Sequence, residues 1–123
     1  MSRIVEFRVY TLRPGTRAEF HALVVRHSIP MLARWKVDVV GYGPSLHDED
    51  SYFLVRAYRS LDERRESQDA FYGSAEWREG PRDPIVALIE TYTTAVAQLS
   101  DAAVANLRES LATHGQPPGQ GDS

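Results

Sequence analysis

Residues 6–20, EFRVYTLRPGTRAEF, decide the fold of this 123-residue chain. Apolar and polar side chains alternate through the first half of the stretch, which is the period of a β-strand. Pro14 and Gly15 then end the strand. Thr16, followed by Glu19 three residues later, has the spacing of a capping box at a helix start. The stretch therefore predicts a strand, a turn and a helix in immediate succession.

Composition narrows the class of protein. A chain of 123 residues predicts one domain. The net charge of −3 argues against a nucleic-acid partner, which needs a basic surface. The chain has no cysteine, which excludes disulfides and thiolate metal sites. It also lacks an apolar run of membrane-spanning length and the apolar segment of a signal peptide, so we expect a cytoplasmic protein with no membrane partner.

The remaining elements follow from periodicity and turn residues. A first helix over residues 16–35 carries an apolar stripe that includes His27, and Pro30 should kink or break it near Ser28. Strands over residues 37–42 and 52–58 form a hairpin, and Ser60 caps a second helix that ends near Gly73. A last strand covers residues 91–99. We expect one domain over residues 1–99, a C-terminal helix over 100–114 and a disordered tail over 115–123.

This order of elements, β-α-β-β-α-β with a C-terminal helix, predicts an α+β fold of the ferredoxin-like type. Right-handed crossovers give the strand order 4-1-3-2, which we expect to be antiparallel except for the central pair, with both helices on one face. Both alternating sets of strand residues are rich in apolar or aromatic side chains. The face without helices therefore needs a cover, and we expect a second copy of the chain to supply it.

Two segments resemble one known family. The opening strand and Pro-Gly turn, together with SYFLVRAYRSLDERRESQDAFYGSAEW at residues 51–77, are similar to NIPSNAP proteins. The resemblance covers residues 4–99. It implies a dimeric α/β barrel, in which two ferredoxin-like sheets pair face to face and each subunit keeps a pocket between its sheet and its helices. Related barrels include cofactor-free monooxygenases of aromatic polyketides.

His27 and Tyr10 are the candidate catalytic residues. His27 falls on the predicted buried stripe of the first helix, where it would face the sheet and could act as a general acid or base. The alternative is a core histidine bonded to one polar neighbour. Tyr10 would supply a hydroxyl to the same pocket. His21 lies at the edge of the stripe and is expected to be exposed.

Candidate binding residues lie on the strands and on the segment around the end of the second helix, which would cover a pocket in this fold. Arg8 and Arg56 sit in the middle of predicted neighbouring strands and could hold a carboxylate or an enolate. Each could instead belong to a structural ion pair across the dimer seam with an acidic partner, and Glu6, on the same face as Arg8, could be one such partner. The aromatic candidates for binding a flat organic molecule, with ordinary core packing as the alternative, are Tyr42, Tyr52, Phe71 and Trp77.

These residues favour a homodimer that binds a small organic molecule. The expected ligand is aromatic or polyketide-like, and a cofactor-independent oxygenase, isomerase or cyclase is the enzyme class favoured. The alternative is a non-catalytic binding or scaffold module. The histidines and acidic residues lack the spacing of a metal site, and we predict neither a metal nor a cofactor. Haem, which some related barrels bind, is the alternative, and it would need His27 as its proximal ligand.

Overall fold

The computed structural model describes residues 1–114; the tail predicted over 115–123 lies outside the described residues. No helix in the described part combines the length and apolarity needed to cross a membrane. The strands are β1 (Ser2–Leu12), β2 (Asp38–Pro44), β3 (Ser51–Tyr58) and β4 (Ile89–Ser100). The α-helices are α1 (Arg17–Leu23), α2 (Ile29–Arg34), α3 (Leu61–Gly73), α4 (Ala75–Glu79), α5 (Arg82–Val86) and α6 (Asp101–His114).

The four strands form one sheet in the order β2-β3-β1-β4, which confirms the predicted order. All three neighbouring pairs are antiparallel, so the parallel central pair predicted from sequence is wrong. The crossover through α1 and α2 leaves β1 and β2 pointing the same way, and the hairpin then reverses β3. Because β3 is reversed, it must oppose β1 where the two meet at the centre of the sheet.

Side-chain caps form at Ser60 and Ser100 but not at Thr16. The Ser60 Oγ accepts a hydrogen bond of 3.0 Å from the Glu63 backbone N–H, as the capping box predicts. The Ser100 Oγ caps α6 by accepting a hydrogen bond of 3.1 Å from the Ala103 N–H. The predicted cap at Thr16 is wrong, because its hydroxyl donates to the Arg13 carbonyl at 2.7 Å and closes the turn instead.

The first helical region is continuous but irregular. A π-helical turn, Val24–Ser28, joins α1 to α2 and lies where Pro30 was expected to disturb the helix. Proline has no N–H to donate to the preceding turn, and a π turn places about one extra residue in the coil. The extra residue rotates every side chain that follows, which moves the apolar stripe away from its regular helical positions.

The sheet has a core on each face. On one face, α1 to α5 bury the larger cluster, which includes Leu12, Phe20 and Trp77. On the other face, α6 packs Val104 against the strands in a smaller cluster with Val5 and further valines. The expectation that this second face lacks a helix is therefore wrong for the part beneath α6.

Candidate functional site

A cavity of about 570 Å³ lies between the helical layer and the sheet. That volume is in the ordinary range for a small-molecule site. Its wall is mainly apolar and aromatic, with a few polar groups. The lining residues are Arg8, Tyr10, Phe20, Val24, Ser28, Ile29, Leu32, Tyr52, Leu54, Phe71, Tyr72, Trp77, Arg82, Ile85, Val86, Ile89, Glu90, Thr91 and Tyr92.

Arg8 and Tyr10 are the polar side chains that β1 contributes to the cavity. Alternate strand residues share a face, and the pairing of Arg8 with Leu54 and of Tyr10 with Tyr52 places all four side chains on the helix-covered face. The Arg8 Nε donates to the Thr94 hydroxyl at 3.2 Å. The Arg8 guanidinium carbon lies 4.7 Å from the ring centre of Tyr92, a cation–π distance. These contacts hold the guanidinium against the cavity wall.

Burial shapes the protonation of the tyrosines in the cavity. Burial, and then the neighbouring Tyr72, raise the pKa of Tyr10 to about 12, although the nearby arginines act in the opposite direction. Burial also raises the pKa of Tyr52. Both phenols are therefore protonated at neutral pH and serve as hydrogen-bond donors rather than as bases.

Tyr52 has a histidine partner at the edge of the cavity. Its hydroxyl lies 2.6 Å from Nδ1 of His21, which is half-buried rather than exposed as the sequence suggested. Burial lowers the pKa of His21, which favours the neutral imidazole that can accept this proton. His21 itself is absent from the cavity lining.

A buried ion cluster centred on Glu6 lies behind the cavity. The Glu6 Oε1 accepts from Arg56 Nε at 2.8 Å, and Oε2 accepts from Arg64 Nη2 at 2.7 Å. The Gln68 amide adds a further bond of 2.7 Å to Oε2. Burial opposes ionisation of Glu6, but Arg56 first and then its other donors outweigh burial and lower its pKa to about 2. The carboxylate is therefore charged throughout the physiological range.

Aromatic side chains of α3 and α4 close one side of the cavity. Phe71 contacts Tyr72 edge to face at 4.9 Å between ring centres, and Trp77 lies 5.5 Å from both rings. Trp35 donates from Nε1 to Glu76 at 2.8 Å, which ties the end of α2 to α4. This side of the cavity is thus held by ring packing and by a polar tie at the surface.

Five of the eight candidate residues lie in the cavity wall. They are Arg8, Tyr10, Tyr52, Phe71 and Trp77. Two others lie elsewhere. Arg56 is 1% exposed and belongs to the Glu6 cluster within this chain, not to the cavity wall. Tyr42 is half-buried beside His21, with its ring centre 6.4 Å from the imidazole.

The buried placement predicted for His27 is wrong. His27 is exposed and does not line the cavity. The π turn rotates the helix so that Ser28 and Ile29 occupy the cavity side where regular spacing would put His27. The acid–base role expected for His27 depended on that placement.

Ser28, Tyr72 and Tyr92 line the wall but are not among the eight candidates chosen from the sequence. Ser28 was hidden by the π turn, which no regular periodicity reveals. Tyr72 stands next to Phe71 and also lines the cavity, because its ring packs against Phe71 and its hydroxyl meets Arg56 at 2.8 Å. Tyr92 pairs with Tyr10 across β1 and β4, a register that only the folded sheet defines.

Among residues 1–114, no group of three histidine, aspartate or glutamate side chains is arranged to hold a metal ion. The polar groups of the cavity are guanidinium, hydroxyl and one exposed carboxylate, Glu90. The arrangement can donate hydrogen bonds to an organic molecule held against apolar rings, and it places a positive charge beside that molecule.

Comparison with known proteins gives a family and a fold. Residues 5–103 match the family model described as NIPSNAP. The fold is similar to that of a NIPSNAP family protein from Agrobacterium tumefaciens, at 24% identity and TM-score 0.74 over 84% of this chain and 90% of that one. A NIPSNAP-like domain protein from Burkholderia xenovorans is 24% identical, at TM-score 0.70 over 76% and 82% of the two chains.

A third similar structure is of a protein for which an activity has been proposed. It is a proposed antibiotic biosynthesis monooxygenase from Bordetella bronchiseptica, 21% identical, with TM-score 0.61 over 82% of this chain and 98% of that one. Identities at this level establish a shared fold only. The comparison with curated proteins finds no match.

Proposed function

Because the chain belongs to the NIPSNAP family, we propose that it binds a flat organic molecule, aromatic or polyketide-like, in the cavity between sheet and helices. The observation that carries the proposal is the cavity itself, about 570 Å³ of space walled by aromatic and aliphatic side chains. Polar groups interrupt that wall at few points, among them Arg8 and Tyr10. An apolar site with a small number of placed donors suits a ring system that bears oxygen substituents.

A cofactor-independent reaction in the cavity, such as an oxygenation, isomerisation or cyclisation, is the enzymatic form of the proposal. Tyr10 would then donate a proton or hydrogen bond, and Arg8 would stabilise negative charge that develops on the substrate. The proposed monooxygenase from Bordetella bronchiseptica, which shares the fold, lends this form its support.

A non-catalytic binding module is the second candidate, and one observation favours it. No histidine lines the cavity among the described residues, and burial keeps Tyr10 and Tyr52 protonated. The cavity wall therefore offers mainly hydrogen-bond donors, and its one carboxylate, Glu90, is exposed to solvent. Oxygen consumption and product formation with a bound aromatic substrate would separate the two candidates.

Calorimetry with 2-naphthol tests binding in the cavity. Ser28→Trp fills the cavity from the helical side and should abolish binding, whereas His27→Trp adds the same ring at the neighbouring exposed position and should leave it unchanged. The proposal fails if the unmodified protein takes up no 2-naphthol at millimolar concentration. It fails equally if both variants bind as the unmodified protein does.

We also propose that two copies pair through the sheet face that α6 leaves uncovered. Phe7 and Phe53 are half-buried there, and Val9 is 39% exposed. Apolar side chains on an uncovered sheet face gain by burial against a second copy. Val9→Glu should shift the sedimentation coefficient from dimer to monomer, and Val25→Glu, at an exposed helix position, should not. A monomer at micromolar concentration before any substitution would contradict the proposal.

A further inference from the structure

We infer that the ligand carries a planar oxyanion, a carboxylate or an enolate, and that the Arg8 guanidinium binds it inside the cavity. The inference rests on the proposed function, because it names the chemical class of the molecule that the cavity holds. Three features of the described residues support it. They are the charge balance behind the cavity, the incomplete pairing of Arg8 and the hydroxyl donors beside it.

The ion cluster behind the cavity has more positive than negative charge. Three guanidinium groups, those of Arg8, Arg56 and Arg64, contact the single carboxylate of Glu6. Among the residues that the structure describes, no second carboxylate bonds to any of the three. One buried carboxylate cannot neutralise three cations, so this end of the cavity is electropositive.

Arg8 is the least completely paired of the three arginines. Arg56 donates two hydrogen bonds to Glu6, from its Nε and Nη2, and Arg64 donates two from its own Nε and Nη2. Arg8 reaches the carboxylate through Nη2 alone at 3.4 Å, on the oxygen that Arg64 and Gln68 already use. A second bond goes to the Thr94 hydroxyl. A guanidinium has five N–H donors, so Arg8 keeps donor capacity, and it is the cluster arginine that lines the cavity.

The other charged groups of the cavity do not compensate Arg8. Arg82, the other arginine of the cavity wall, is itself a cation and cannot neutralise Arg8. Its own partner is Asp83, at 2.8 Å. Glu90 is exposed at the start of β4, whereas Arg8 pairs with Thr94 four residues further along that strand. Four residues of strand span about 13 Å, and among the described residues the ion-pair partner of Arg8 is Glu6, not Glu90.

Hydroxyl groups complete the anion site. The Arg56 Nη1 donates to the Tyr72 hydroxyl oxygen at 2.8 Å, so the Tyr72 proton is available to another acceptor. Tyr10, on the same strand face as Arg8, is a second phenol in the cavity wall. A guanidinium with phenol donors beside it suits a planar, delocalised oxyanion attached to a ring that the apolar wall receives.

The test compares 2-naphthoate with its uncharged isostere 2-naphthamide by calorimetry at pH 7. In the unmodified protein we expect 2-naphthoate to bind at least ten-fold more tightly than 2-naphthamide. Arg8→Gln should remove that preference while changing 2-naphthamide affinity less than two-fold. Arg82→Gln, an equal loss of charge at the same cavity, should preserve the preference. Circular dichroism and thermal unfolding check that each variant is folded.

The outcomes separate the inference from the proposed function. Equal affinity for the two probes in the unmodified protein would overturn the inference and leave the cavity proposal intact, and this comparison does not depend on any variant folding. A preference that survives Arg8→Gln would also overturn it. Failure of both probes to bind would overturn the proposed function and the inference together.

Discussion

Replacement of Glu6 by glutamine should destabilise the protein more than any other single charge removal among the described residues. Glu6 is fully buried, and its two oxygens accept bonds from Arg56, Arg64, Gln68 and, more weakly, Arg8. Glu6→Gln keeps the shape of the side chain but leaves buried guanidinium groups without a counter-charge. Removal of one partner from such a cluster costs about 3–5 kcal/mol of unfolding free energy.

The pKa of Glu6 gives a second measure of how much the charged carboxylate contributes to the unfolding free energy. Burial opposes ionisation, but Arg56 and the other donors hold the pKa at about 2, against 4.5 for an unperturbed glutamate. That difference corresponds to about 3 kcal/mol of folded-state preference for the carboxylate. Because the folded pKa is depressed, this contribution is complete above about pH 4.5 and is lost as pH falls toward 2.

Urea unfolding at several pH values measures both effects. At pH 7 the midpoint of Glu6→Gln should fall by about 2–3 M, since a loss of about 3–5 kcal/mol is divided by a slope of about 1.5 kcal/mol per molar urea for a chain of this size. The variant should also lose most of the acid sensitivity between pH 4.5 and 2. Glu66→Gln, an exposed carboxylate on the same helix as Arg64, should behave as the unmodified protein does. A loss below 1 kcal/mol for Glu6→Gln, with acid sensitivity unchanged, would refute the reasoning.

Two further predictions concern α6 and the edge of the cavity. Gly41→Ala should lower the unfolding free energy by about 1–3 kcal/mol, because the added Cβ would clash with Leu111 of α6. In the Leu111→Ala background, Gly41→Ala should cost much less, because the clashing side-chain atoms are gone. Additive losses in a double-mutant cycle would contradict this. His21 should titrate in proton NMR below 6.5, because burial disfavours its cation, so its contribution to stability grows as pH rises through that region; a midpoint above 6.5 would count against the observed contact with Tyr52.

The positions of the strands and of most helices could be predicted from the sequence, because those signals are local, and the strand order followed from the order of the elements. Alternation in residues 6–12, the Pro14-Gly15 turn and the Ser60 cap each act within a few residues, and each lies in its expected element. The direction of the central strand pair was wrong for a topological reason. A crossover followed by a hairpin makes β3 oppose β1, which strand periodicity alone does not show.

The candidate site was predicted in part. Strand alternation placed Arg8 and Tyr10 on one face, and both lie in the cavity wall. The prediction that His27 is buried was wrong because a π turn changes the phase of the helix. Hydrophobic periodicity in the sequence does not reveal such an inserted residue. The role of Arg56 depended on a partner 50 residues away, Glu6, which only the β1–β3 register brings opposite it.

The most direct test of the account is a crystal structure of the protein soaked with 2-naphthoate. The account predicts the naphthalene ring in the cavity between Phe20, Phe71 and Trp77, with its carboxylate about 2.7–2.9 Å from the Arg8 guanidinium nitrogens. A cavity that stays empty, or a naphthoate bound only on the protein surface, would contradict it.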